Sequence, residues 1–161
     1  MRKKISFILV ITLISLMCGC SRETKMGIGE YCDRINKDYG ITIDEKSLLL
    51  EKSGDSNTVY CNLNSSLLVF YLGNNNNISG IAGMLSKDNE GELSAFLDDF
   101  QKCVSVFTLN SADSVKKTFD ECKITADSIK FTDGNKLYTV GKFKYSVITN
   151  EQSITVFCER V

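Results

Sequence analysis

Apolar side chains at Leu93, Phe96, Leu97, Phe100, Val104 and Phe107 recur at the i, i+3, i+4, i+7, i+11 and i+14 spacing of one buried helix stripe. The pattern predicts a helix over 90–107. Asn89 is placed to cap it, with Glu92 reaching back as in a capping box. Ala112, Val115, Phe119 and Cys122 mark a second helix over 112–122. Asn110 or Ser111 would cap that helix, and Asp113 suits its positive N-terminal end. Earlier in the chain, Ile28, Tyr31, Cys32, Ile35 and Tyr39 predict a helix over 27–39 that stops at Gly40. Gly27 and Gly29 weaken its start.

Elsewhere the pattern is that of strands. Residues 47–51 lead into a turn-rich cluster at 53–57, and Val59, Cys61 and Leu63 then alternate. Leu67–Leu72 is continuously apolar, as expected of a central strand. The loop of Gly73 and Asn74–Asn77 precedes a fourth strand over 78–85, which Gly80 and Gly83 mark as irregular. The C-terminal third reads as a meander: 129–132, a turn at Asp133-Gly134, a long strand over 136–148, a turn at Asn150-Glu151, and 153–159. In that reading Leu137, Thr139, Phe143, Tyr145 and Val147 share one face. Two pairs of similar words, Ile41–Asp44 with Ile124–Asp127 and Ser66–Phe70 with Ser153–Phe157, keep their order and raise the idea of a duplicated α-β-β-β unit.

The first twenty residues have another character. Met1-Arg2-Lys3-Lys4 is positive, and Ile5–Met17 carries no charge over thirteen residues. A helix of that length spans only about 20 Å against a hydrocarbon core of ~30 Å, so the stretch reads as the apolar part of a signal peptide. Met17-Cys18-Gly19-Cys20 follows, with small Gly19 directly before Cys20. This arrangement resembles the lipobox of bacterial lipoproteins, although Met17 stands where that family prefers Leu. The resemblance implies that Cys20 receives a diacylglyceryl group and becomes the mature N-terminus. It also implies a lipid-anchored, extracytoplasmic protein, on whichever membrane the host envelope provides. Two or more acyl chains anchor firmly where one binds marginally.

Removing Arg2, Lys3 and Lys4 with the leader leaves 16 basic against 20 acidic residues, a net charge of −4. That balance argues against nucleic acid as a partner. The chain has no histidine, which removes Ser-His-Asp and Cys-His catalysis and HExxH zinc sites. Beyond Cys20 there remain Cys32, Cys61, Cys103, Cys122 and Cys158, an odd number without a CxxC pair, best read as small buried hydrophobes with one or two bridges at most. No metal or cofactor site is expected. Asp98-Asp99 with Glu90 and Glu92 falls on the polar side of its helix, the wrong place for a catalytic cleft.

One surface cluster stands out. Lys130, Lys136, Tyr138, Lys142 and Lys144 occupy even-numbered positions on the expected C-terminal hairpin and would share its solvent face. Ammonium groups beside a tyrosine suit an anionic envelope component or an acidic protein; a lysine-rich face also protects a sheet edge from aggregation.

The expectations are therefore a signal peptide at 1–19, a lipidated N-terminus and short tether at 20–26, and a single α+β domain at 27–161. Its antiparallel sheet should have about six or seven strands, with helices packed on one face. The function expected is a non-catalytic binding or interaction module at the cell surface. The alternative is a cell-envelope hydrolase using carboxylates or a thiol, which requires those groups to converge in a cleft.

Overall fold

Gly83 decides how closely helix and sheet approach. A Cβ at this position would lie 2.7 Å from the Phe100 ring and 2.9 Å from that of Phe96. Its absence lets the apolar stripe of the central helix settle directly on the sheet. The computed structural model describes residues 26–43, 48–53, 56–73 and 76–161. The expected signal peptide, lipobox and tether, Ser21 to Lys25, lie outside the described residues.

In chain order the elements are α1 (Ile28–Tyr39), β1 (Leu49–Ser53), β2 (Ser56–Leu63), β3 (Ser66–Leu72), β4 (Ile78–Ser86), a 3₁₀ turn (Lys87–Glu92), α2 (Leu93–Thr108), α3 (Ala112–Glu121), β5 (Gly134–Val140), β6 (Phe143–Thr149) and β7 (Ser153–Arg160). The strands form one antiparallel sheet of seven in the order β1-β2-β3-β4-β7-β6-β5. Both the α+β class and the strand number are as the sequence predicts. β4 is irregular beside Gly80, as expected, where its pairing with β3 skips Ser79 and shifts register; around Gly83 it is regular, and that glycine serves packing.

The core lies between the helices and one face of the sheet. Phe96, Leu97, Phe100, Val104 and Phe107 from α2 meet Leu68, Phe70, Ile81, Leu85, Ile154 and Val156 from the strands. α1 adds Tyr31, Cys32 and Ile35. Tyr31 is fully buried, stands edge-on to Phe70 at 5.0 Å, and donates its hydroxyl proton to the Cys103 carbonyl at 3.0 Å. α3 contributes Val115 and Phe119, whereas Ala112 is exposed rather than inward. Ser111 is the residue that caps α3, accepting from the Ser114 amide.

Three expectations need correction. First, Asn89 and Glu92 do not cap α2. The 3₁₀ turn intervenes, and both side chains reach across to the β2–β3 turn: Asn89 donates to the Ser65 carbonyl at 2.9 Å, and Ser65 Oγ donates to Glu92. Asp99 joins them by accepting from Asn64 Nδ2 at 2.8 Å. Second, residues 129–132 are not a strand, and Asp133-Gly134 is not a hairpin turn. That stretch is irregular, with Ile129 and Phe131 buried, and Gly134 opens β5. The hairpin turn is Gly141-Lys142, where Gly141 has φ +61°. Third, this two-residue turn pairs Val140 with Phe143, so even positions of β5 oppose odd positions of β6. Tyr138 thus sits beside Tyr145 on the helix side, while Leu137 and Thr139 share the opposite face with Ser146 and Lys144.

A helix followed by a three-strand meander occurs twice, as α1 with β2–β4 and as α3 with β5–β7. The order and directions around the β4–β7 pair are those of two units related by a two-fold normal to the sheet. The similar words in the sequence fall instead on β3 and β7. These strands flank β4 and run parallel to each other, so that operation does not relate them.

Candidate functional site

The register separates the lysines expected to form one face. Lys130 and Lys136 line a hollow of about 160 Å³ on the helix side, together with Thr132, Asp133 and Thr149. Tyr138 packs against the core. Lys142 stands in the β5–β6 turn. Lys144 lies on the opposite face, 3.1 Å from the Glu159 carboxylate. The site residues expected from sequence therefore divide among four surroundings.

What the sequence reading overlooked is the face of the sheet that none of the described helices covers. One row crosses all seven strands: Leu49, Tyr60, Val69, Ala82, Phe157, Ser146 and Leu137, each beside the next in register. A neighbouring row runs Leu67, Met84, Thr155 and Ile148 over the middle strands. Leu49 is 71% exposed, Leu137 59%, Ile148 41% and Met84 38%, while Tyr60, Leu67, Tyr71 and Phe157 are half-buried and Val69 and Ala82 are covered by these neighbours. The signal was present in the sequence: Tyr60, Leu67, Val69, Tyr71 and Phe157 alternate with the core-facing residues of their strands. A continuous apolar run reads as a strand buried on both faces, which hid the fact that one face is bare.

Charge is sparse here. Among the described side chains it is confined to Glu51, Lys144 and Glu159, and the last two pair with each other. Near the end of the sheet a groove of about 390 Å³ opens over Gly80, lined by Asn57, Tyr71, Ser79, Phe157, Glu159 and Arg160 among others. The Tyr71 and Phe157 rings stand 6.0 Å apart across it. Burial, reinforced by the neighbouring Tyr60 and Glu159, raises the Tyr71 hydroxyl above its ordinary pKa, so Tyr71 offers a neutral ring and a hydrogen-bonding group.

Among the described residues, nucleophiles and acids do not converge. Cys61, Cys103, Cys122 and Cys158 are free thiols, and all five described cysteines are buried. Burial pushes Cys61, Cys103 and Cys158 up from an ordinary 9.0 to about 12. Thiolate is the reactive form, so these groups should not alkylate at pH 8 in the folded chain and should all do so in denaturant, as mass spectrometry after iodoacetamide treatment would count. The linkage sign follows. A thiol harder to ionise when folded supports the fold below pH 9, and that support is lost as pH rises from about 9 towards 12. Asp98 and Asp120 both line a hollow of about 210 Å³ between α2 and α3. Asp98, however, is 66% exposed and ion-paired to Lys102 at 2.7 Å, which is solvated-surface chemistry. Among the described residues no group of three or more Cys, Asp or Glu side chains is arranged to hold a metal ion. None of the described helices is long and apolar enough to cross a membrane. Protein-family models, characterised proteins and solved structures contain no match to this chain.

Proposed function

We propose that this chain is a lipid-anchored, extracytoplasmic interaction module whose contact surface is the bare face of the sheet. The single observation that carries the interaction part is the apolar face on which Leu49, Met84, Leu137 and Ile148 are exposed around half-buried tyrosine and phenylalanine rings, since monomeric soluble proteins rarely leave such patches uncovered. The anchor part rests on Gly19-Cys20 closing a short apolar leader. The uncovered face takes the place of the lysine cluster, whose members lack the common orientation that an anionic partner needs. The dispersed carboxylates and the buried thiols favour this reading over the hydrolase.

Anchoring is tested by Cys20→Ala expressed in a lipoprotein-processing bacterial host. The wild type should sediment with membranes and carry a diacylglyceryl mass on its N-terminal peptide. The variant should lose that mass and move almost entirely to the soluble fraction. A variant that keeps the lipid would overturn the assignment to Cys20.

A further inference from the structure

We infer that the bare sheet face is closed by a second copy of this chain, in a face-to-face dimer whose two-fold axis runs along the strands between β4 and β7. This rests on the anchored-module reading for the direction of the axis and goes beyond it in naming the partner.

The tether fixes that direction. Ile78, the first residue of β4, donates its amide to the Met26 carbonyl at 2.9 Å, and Gly27 bridges Asn77. The chain therefore enters beside the middle of the sheet, at one end of its strands. From Cys20 to Met26 there are six residue steps, a reach of about 20 Å. Two copies in one bilayer must both present that end to it. An axis parallel to the strands does so. An axis normal to the sheet, or one across the strands, sends one tether away from the membrane.

The same operation keeps each row in place and sets β4 of one copy over β7 of the other, β3 over β6 and β2 over β5. Apolar positions then meet apolar ones. The second copy's Phe157 lies over Ala82, itself covered by its neighbours, next to the groove above Gly80. Leu67 faces the second copy's Ile148, Tyr60 its Leu137, and Met84 its Thr155. Tyr71 faces Lys144 of the second copy, an ammonium over a ring. Glu159 approaches its own symmetry mate, but each is already neutralised by Lys144.

The area suffices. Seven strands about 4.8 Å apart and seven residues long at about 3.3 Å each present roughly 670 Å² before side-chain relief, close to the ~800 Å² per partner of a stable interface. Two twisted antiparallel sheets pack in this way about 10 Å apart with their strands nearly aligned.

The test uses the full-length chain in membranes. Met84→Cys places one exposed thiol on the face beside the axis, where a bis-maleimide spanning about 10 Å should join two copies. The five described native thiols are buried and stay silent, and in the processed chain Cys20 carries the lipid. Lys117→Cys, on the exposed side of α3, is the control and should remain monomeric. Adding Leu67→Glu to Met84→Cys should cut the cross-linked fraction at least about tenfold, because it sets a charge against the second copy's Ile148. Thermal melting should remain unchanged. The chain contains no tryptophan, so Met84→Trp reports the surroundings of the face without background. Quenching of that tryptophan by brominated lipid would mean that the bilayer covers the face, and would overturn the dimer. So would a Met84→Cys chain that reacts with a monofunctional maleimide yet never cross-links. A monomer in the membrane fraction removes the dimer and leaves the anchor; a cross-linked dimer in the soluble fraction does the reverse.

Discussion

Phe100→Ala should lower the unfolding free energy by about 3–5 kcal/mol, read from chemical denaturation followed by circular dichroism. Phe100 is fully buried, faces Gly83, and stacks with Phe96 at 6.1 Å and with Phe119 at 6.4 Å. Truncation opens a cavity where α2, α3 and β4 meet, and no exposed side chain can collapse into it. A domain of this size holds only about 5–15 kcal/mol in total, so the loss is a large share. The proper control is Asp98→Ala, which removes an exposed carboxylate and should change stability by less than about 0.5 kcal/mol. Asp99 is a poor control despite its neighbouring position. Its carboxylate holds Asn64 in the β2–β3 turn and also contacts Lys102 at 3.1 Å. Equal melting of Phe100→Ala and wild type would contradict the core described above.

Gly83→Val should be comparably damaging from the opposite direction. The first carbon of any side chain there meets ring atoms of Phe100 and Phe96 at 2.7 and 2.9 Å, and valine adds two methyl groups beyond it. Overpacking of this kind costs about 1–3 kcal/mol or more, since either α2 lifts off the sheet or two rings leave their rotamers. A double-mutant cycle identifies the cause. Gly83→Ala with Phe100→Leu should be less destabilising than the sum of the two single changes, because the shorter side chain vacates the space that the new methyl enters. Strict additivity would show that the glycine acts through backbone freedom and not through close packing.

Much of the architecture was legible because it rests on period alone. The six apolar positions of α2 all point inward, and β1–β4 and β7 fall where alternation or apolar runs put them. The failures have physical causes. Asp-Gly is a strong turn dipeptide in isolation, but residues 129–132 bury Ile129 and Phe131 without pairing and leave that turn nothing to connect. Gly141, preceded by Val140, lacks the Asn or Asp that announces such a turn. Moving the hairpin from 133–134 to 141–142 reverses parity along β5, which carried Lys136 and Tyr138 to the helix side and scattered the candidate site. Misplacing one two-residue turn thus cost the whole surface. Gly83 was visible as a residue but not as a seat for two rings, because the contact joins elements whose distance apart in space the sequence does not state. The bare face was hidden for a related reason: tyrosines, valines and leucines on both sides of β2 and β3 look the same whether a helix covers one side or two.

β7 is synthesised after the other six strands of the sheet, yet it occupies the middle, pairing with β4 on one side and β6 on the other. Until residues 153–160 arrive, the first four strands and the β5–β6 hairpin are two fragments with open edges, and α2 has only half a floor. Such non-local closure makes folding slow and nearly all-or-none. For a chain threaded unfolded through a membrane before its lipid holds it, as proposed here, that lateness is useful. The polypeptide cannot lock into its native form while β7 is still in transit, and the loss of residues 153–160 would abolish the fold instead of trimming it.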